Sequence, residues 1–128
     1  MTERVALDTS ALMMPVELDV RLFDELDRLL DAVEPTTPQP VVEELRRLSE
    51  KGGTEGTAAT VGHDLATERC LVVDTEESYA DDALVELARE GVVDAVVTND
   101  RPLGERVLEA GIPVIALRGR NKLGITRP

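Results

Sequence analysis

Aromatic side chains are nearly missing from this 128-residue chain, which has one Phe, one Tyr and no Trp. A core must therefore be built from Leu, Val, Ala and Ile, and the 42% hydrophobic content is enough for one real core. Lysine is almost as scarce, with Lys51 and Lys122 standing against twelve arginines. A single cysteine, Cys70, excludes an internal disulfide and fits a reducing compartment. It reads as the apolar start of a strand rather than as a nucleophile. The single histidine, His63, reads as a structural residue rather than a general base. No apolar run approaches the roughly 20 residues of a membrane span, and the N-terminus has no signal-peptide pattern. A soluble, cytoplasmic protein without a membrane partner is expected. No Gly-x-Gly-x-x-Gly loop follows the first apolar run, which argues against a Rossmann-type nucleotide site.

What the chain has in excess is acid. Its 26 Asp and Glu outnumber 14 Arg and Lys, for a net charge of -12. Such an excess favours solubility and repels nucleic acid on average. Yet it is uneven: residues 1–100 carry 24 acids and 8 bases, a net of -16, and residues 101–128 carry 2 acids and 6 bases, a net of +4. An acidic, lysine-poor surface points to a cytoplasm of high salt, as in a halophilic archaeon.

Short apolar runs alternate with helical patterns. Val5-Ala6-Leu7, Leu71-Val72-Val73, Ala95-Val96-Val97 and Pro113 to Leu117 read as buried strands, and Pro35 to Pro40 leaves room for a very short one. Leu22, Phe23, Leu26, Leu29 and Leu30 lie on one face of a helix that Asp19 is placed to cap. Pro40 opens a second helix with Val41, Val42, Leu45 and Leu48 inside. Lys51 to Gly56 reads as a flexible loop within the domain, followed by a weak helix over Ala58 to Thr67. Ala83, Leu84, Leu87 and Ala88 mark a helix ended by Gly91, and Pro102 opens another that ends at Gly111. The pattern predicts one α/β domain over 1–128, three layers with a central parallel sheet of four to five strands covered on both faces. A basic tail over 118–128 follows the last predicted strand.

In such a sheet ligands bind beyond the carboxyl ends of the strands, where strand order reverses. Asp8 follows the first apolar run and Asp100 follows Val96-Val97-Thr98-Asn99. Helices starting from that edge add Glu43 and Glu44 after Pro40, and Asp81 and Asp82 after Tyr79. Each acid alone has a plain use, ending a strand, capping a helix or facing solvent. Together at one edge they would repel each other and raise each other's pKa values. A divalent cation neutralises such a cluster, and oxygen donors without Cys or His favour Mg²⁺ or Mn²⁺ over Zn²⁺. The chemistry such an ion serves is phosphodiester hydrolysis by water.

The blocks Val5-Ala6-Leu7-Asp8-Thr9-Ser10, Val41-Val42-Glu43-Glu44-Leu45, Asp82-Ala83-Leu84-Val85 and Val96-Val97-Thr98-Asn99-Asp100-Arg101-Pro102-Leu103 resemble the PIN-domain nucleases, in that family's order. The resemblance spans essentially the whole chain. It implies a ribonuclease with Asp8, Glu44, Asp82 and Asp100 as metal-binding catalytic acids and Asp81 as an auxiliary acid or cap. Thr9, Ser10, Thr98 and Asn99 would orient the carboxylates and the water. Within the family, Tyr79-Ala80-Asp81-Asp82 and the basic tail are similar to archaeal relatives of ribosomal-RNA-processing PIN proteins. The toxins of VapBC toxin–antitoxin pairs are the alternative. The resemblance also implies an RNA substrate, an antitoxin or ribosome-assembly partner according to subgroup, and a homodimer to which Met13 and Met14 could contribute if they are not core.

Arg118, Arg120, Lys122 and Arg127 lie in a stretch without acids, and with Arg101 and Arg106 they could hold RNA phosphates. Only Tyr79 is offered for base stacking, since Phe23 reads as core. A phosphoacceptor receiver domain, with Asp74 as acceptor, is disfavoured because Asp8 stands alone after the first strand and Lys122 comes late. A PIN-fold protein that binds RNA without cutting is the other rival.

Overall fold

A computed structural model describes residues 2–128. Five strands are β1 (Glu3–Leu7), β2 (Val33–Pro38), β3 (Leu71–Val73), β4 (Ala95–Val97) and β5 (Val114–Leu117), followed by β6 (Leu123–Thr126). The helices are α1 (Thr9–Glu17), α2 (Leu22–Leu29), α3 (Gln39–Leu48), α4 (Gly53–Arg69), α5 (Ala80–Arg89) and α6 (Arg101–Glu109). The strands form one six-stranded sheet in the order β3-β2-β1-β4-β5-β6, parallel except for β6. The chain steps from β1 outward to β3, then jumps to β4 and steps the other way. Right-handed crossovers therefore place α1 to α4 on one face and α5 and α6 on the other. Strand order reverses between β1 and β4, the place where a site is expected. Among the described residues no helix is long and apolar enough to cross a membrane.

The core is aliphatic, as the composition requires: Val5, Leu7, Leu12, Leu45, Leu84, Val96 and Ile115 are fully buried. Met13 and Met14 belong to it as well, so they are not free to build a dimer face. Cys70 caps α4 just before β3, and burial pushes its thiol up to about 11, far from a nucleophile.

Several local expectations are corrected. The short strand expected near Pro35 is the six-residue β2. Its polar run is buried because Thr37 donates its hydroxyl to Leu7 O at 2.9 Å, while Pro35 precedes the ladder to β3 and Pro38 ends it. β3 is an edge strand, with Leu71 45% exposed, rather than a buried one. Asp19 does not cap α2; it has φ +53 in the preceding turn, and the cap position is Arg21 without a side-chain bond.

The supposed loop over Lys51 to Gly56 enters α4, a helix of 17 residues. Two of its glycines serve close packing. A Cβ on Gly62 would stand 2.9 Å from Leu12 O in α1, and one on Gly56 would overlap Lys51 O. Pro113–Leu117 is not the last strand either. The segment read as a tail turns back as β6, pairing Leu117 with Leu123 and Val114 with Thr126. Glu25 Oε1 accepts Leu123 N–H at 2.9 Å and Arg28 donates to Leu123 O at 2.8 Å, so α2 holds this strand in place.

Candidate metal centre and active site

β1 delivers Asp8 to the sheet edge and α1 starts from it. Asp8 is 4% exposed, and its Oδ1 accepts Ala11 N–H at 2.7 Å as the helix cap and Ser10 Oγ–H at 2.8 Å. Its Oδ2 accepts the Thr98 hydroxyl from the end of β4. Burial pushes the Asp8 carboxyl up to about 6 in spite of these three donors, and repulsion from Asp81 adds to the rise.

The neighbouring strand end is tied into the same network. Thr98 Oγ1 accepts Asp100 N–H at 3.0 Å, and Asp100 caps α6 through Leu103 N–H at 3.0 Å. Asn99 N–H donates to Ser10 Oγ at 3.2 Å, and Asn99 Oδ1 accepts Leu117 N–H at 2.8 Å. Thr98, Asn99 and Ser10 therefore lock β1, β4 and β5 together beneath the acids. The Thr9 hydroxyl is buried without a partner.

α3 brings half-buried Glu44 to this edge, and α5 brings Asp81 and Asp82. Their surroundings differ. The Asp81 carboxyl is raised by burial first, then by the charges of Asp100 and Glu44, with a smaller rise from Asp82; Arg106 opposes these. Asp81 is thus repelled by acids of α3 and the head of α6, and it in turn repels Asp8. Asp82 Oδ1 instead accepts Arg106 at 3.0 Å, an ion pair between α5 and α6. An open cleft is lined by Glu44, Tyr79, Ala80, Asp81, Asp82 and Arg106. Glu43 is exposed beside it.

The sequence put Asp81 and Asp82 together at this edge but did not show which of the two pairs with Arg106. Adjacent helical residues point about 100° apart, and only the packing of α5 decides which one faces Asp8. The donor set is all oxygen, which fits Mg²⁺ or Mn²⁺. Among the described residues, no three His, Cys, Asp or Glu side chains stand close enough to hold one ion as they are.

Of the predicted cations, Arg101 opens α6 and is exposed at this edge. Arg120 and Lys122 are exposed in the β5–β6 turn, which the direction of β5 places at the same edge. Arg118 lies across Gly124 and donates to Ile125 O and Thr126 Oγ1 at 3.2 Å, so its head group is turned down the hairpin. Arg127 follows β6, whose reversed direction carries it to the far edge.

Residues 5–120 match the family described as a PIN-like domain. The chain belongs to that family. This PIN-like domain is 30% identical over 118 residues to Ribonuclease VapC4 of Methanocaldococcus jannaschii, covering 90% of each protein. It matches the structure of the PIN domain endonuclease Utp24 with a TM-score of 0.79 at 27% identity, over 98% of this chain and 92% of that one. A domain of a functionally unknown protein from Methanocaldococcus jannaschii shares the fold, with a TM-score of 0.67 at 18% identity and 94% of each chain covered. The PIN-like domain is thus a member of a nuclease family, with the acids of four elements at its sheet edge.

Proposed function

We propose that this PIN-like domain is a divalent-metal-dependent endoribonuclease with Asp8, Glu44, Asp81 and Asp100 as its metal-holding acids. The observation that carries the reading is the gathering of these acids at one sheet edge: Asp8 and Asp100 cap the helices that follow β1 and β4, and Glu44 and Asp81 line the open cleft that α3 and α5 form there. Asp82, the choice that the family blocks suggest, acts here as the anchor of Arg106. A bound Mg²⁺ or Mn²⁺ would supply charge neutralisation and a Lewis acid at the phosphate. The residues of the chain do the rest. Thr98 and Ser10 hold the Asp8 carboxylate in one orientation, Asp100 is fixed as a helix cap, and Arg101 at the head of α6 and Arg106 in the cleft would meet phosphate.

The substrate we favour is a structured RNA of ribosomal processing, on the strength of the Tyr79-Ala80-Asp81-Asp82 run and the basic hairpin. The identity to VapC4 supports a second reading, a toxin-type ribonuclease with an antitoxin partner.

Cleavage of labelled structured RNA with Mn²⁺, Mg²⁺ or EDTA, in high salt, tests the proposal. Metal-dependent cutting should fall at least ~100-fold in Asp81→Asn and Asp100→Asn, a loss on the scale of a group that stabilises the transition state. In Asp82→Asn it should fall much less. Equal losses at Asp81 and Asp82 would return the metal to the family-derived set, and absence of metal-dependent cutting by folded protein would sink the nuclease.

A further inference from the structure

We infer that the ring of Tyr79 is a stacking platform for a nucleobase of the RNA next to the scissile phosphate, an inference that rests on the ribonuclease reading above. Tyr79 is 76% exposed. It is the only tyrosine, and there is no tryptophan. The remaining aromatic, Phe23, is half-buried beneath the Arg69 guanidinium, 4.1 Å from its ring centroid, and faces a different cleft. One free aromatic ring therefore exists, and it lines the same cleft as Glu44, Asp81, Asp82 and Arg106.

The seat of that ring is rigid. Tyr79 O accepts Ala83 N–H at 2.8 Å, which fixes it at the head of α5, two residues before Asp81. The loop leading to it is held from below. Glu86 Oε1 accepts Glu76 N–H at 3.0 Å and Glu77 N–H at 2.9 Å, and the Thr75 hydroxyl donates to Glu77 O at 2.8 Å. A ring on a mobile loop would lose backbone entropy on stacking; here the backbone is already held, and only side-chain rotation is lost.

The chemistry of the cleft explains why such a contact is useful. Phosphate contacts weaken steeply with salt, and the acids around the cleft oppose them. Stacking needs no charge and works on every base, so it holds RNA where electrostatics help least. Recognition by this contact is tolerant of sequence and selective for strands whose bases are splayed out.

With one tyrosine and no tryptophan, the tyrosine emission of the protein comes from Tyr79 alone. In an Asp8→Asn background, which prevents cutting, a labelled oligoadenylate and an abasic ribose-phosphate chain of equal length are titrated at the lowest salt that keeps the protein folded. Fluorescence anisotropy of the label reports binding, and tyrosine emission reports stacking. Oligoadenylate should quench the emission and the abasic chain should not. Tyr79→Ala should weaken oligoadenylate binding on the order of tenfold and leave the abasic chain unaffected, and Tyr79→Phe should restore the affinity. Binding without quenching, or equal loss on both chains, overturns the platform and leaves the ribonuclease standing. Absence of binding by both chains overturns the platform as well, and the ribonuclease reading then stands or falls on the cleavage of structured RNA.

Discussion

The hydroxyl of Thr98 donates to Asp8 Oδ2 across the junction of β4 and β1, so the most buried acid of the site is held by the strand that delivers Asp100. Even with that donor, burial leaves the Asp8 carboxyl at about 6. The folded metal-free protein therefore binds a proton at Asp8 more readily than the unfolded chain, whose carboxylate titrates near the ordinary value. The resulting stability is fully present below about pH 4 and is lost as pH rises through about 6.

Asp8→Asn removes this dependence. At pH 8 the variant should be more stable than the metal-free wild type by about 3 kcal/mol, and at pH 4 the difference should disappear. Urea unfolding at the two pH values checks it. A variant equally destabilised at both would show that Asp8 is a structural cap whose charge is well tolerated. The same variant should not cleave.

How far the sequence exposed this arrangement depends on which force shaped each part. β1 and β4 were legible because strands buried on both faces read as apolar runs, and the acids that follow them mark the open edge. β2 was legible only as a very short strand, since buried Thr36 and Thr37 interrupt its pattern and their satisfaction comes from backbone carbonyls that no local pattern reveals. α4 was half hidden because it buries Gly56, Ala58, Ala59, Gly62 and Ala66, small residues with little hydrophobic contrast. β6 lay beneath a basic, glycine-containing composition, and its partners are β5 and the Glu25–Arg28 pair of α2. The pairing of Asp82 with Arg106 was set by the roll of α5 against α6, which no local pattern encodes.

Gly62 shows that small residues can be demanding. In an exposed helix interior, Gly→Ala would stabilise by roughly 1 kcal/mol. Here the new Cβ would press on Leu12 O in α1 at 2.9 Å, and it would also meet Leu45 at 3.1 Å. Gly62→Ala should instead destabilise by about 1–3 kcal/mol, measured by urea midpoint at unchanged slope. Because α1 begins at Asp8, RNA cleavage should fall as well. A stabilised variant would show that α1 and α4 can separate without cost.

The net charge of -12 predicts a protein that needs salt. Among the described residues, ion pairs are five and mostly exposed, so they contribute little against the mutual repulsion of the acids. Raising the salt from about 0.1 M to about 1 M shortens the screening length from about 10 Å to about 3 Å. The melting temperature should rise by several degrees between these conditions, in KCl and NaCl alike. A flat or falling curve would mean that self-repulsion is not what limits this fold.

Direction of the last strand separates the cations at the acidic edge from those at the opposite one. Arg120 and Lys122 sit in the turn at the acidic edge, while Arg127 is carried to the opposite one. Composition groups these residues together; topology divides them. Replacing Arg120 and Lys122 by Ala should weaken RNA binding and lower the slope of log affinity against log salt by about 0.7 for each phosphate that is no longer neutralised. Arg127→Ala should leave both quantities unchanged. Arg118→Ala should act through stability, because its guanidinium is engaged with Ile125 and Thr126 within the hairpin. An effect of Arg127 equal to that of the turn would show that RNA wraps both edges of the sheet, and the cleavage site could then no longer be located from the turn alone.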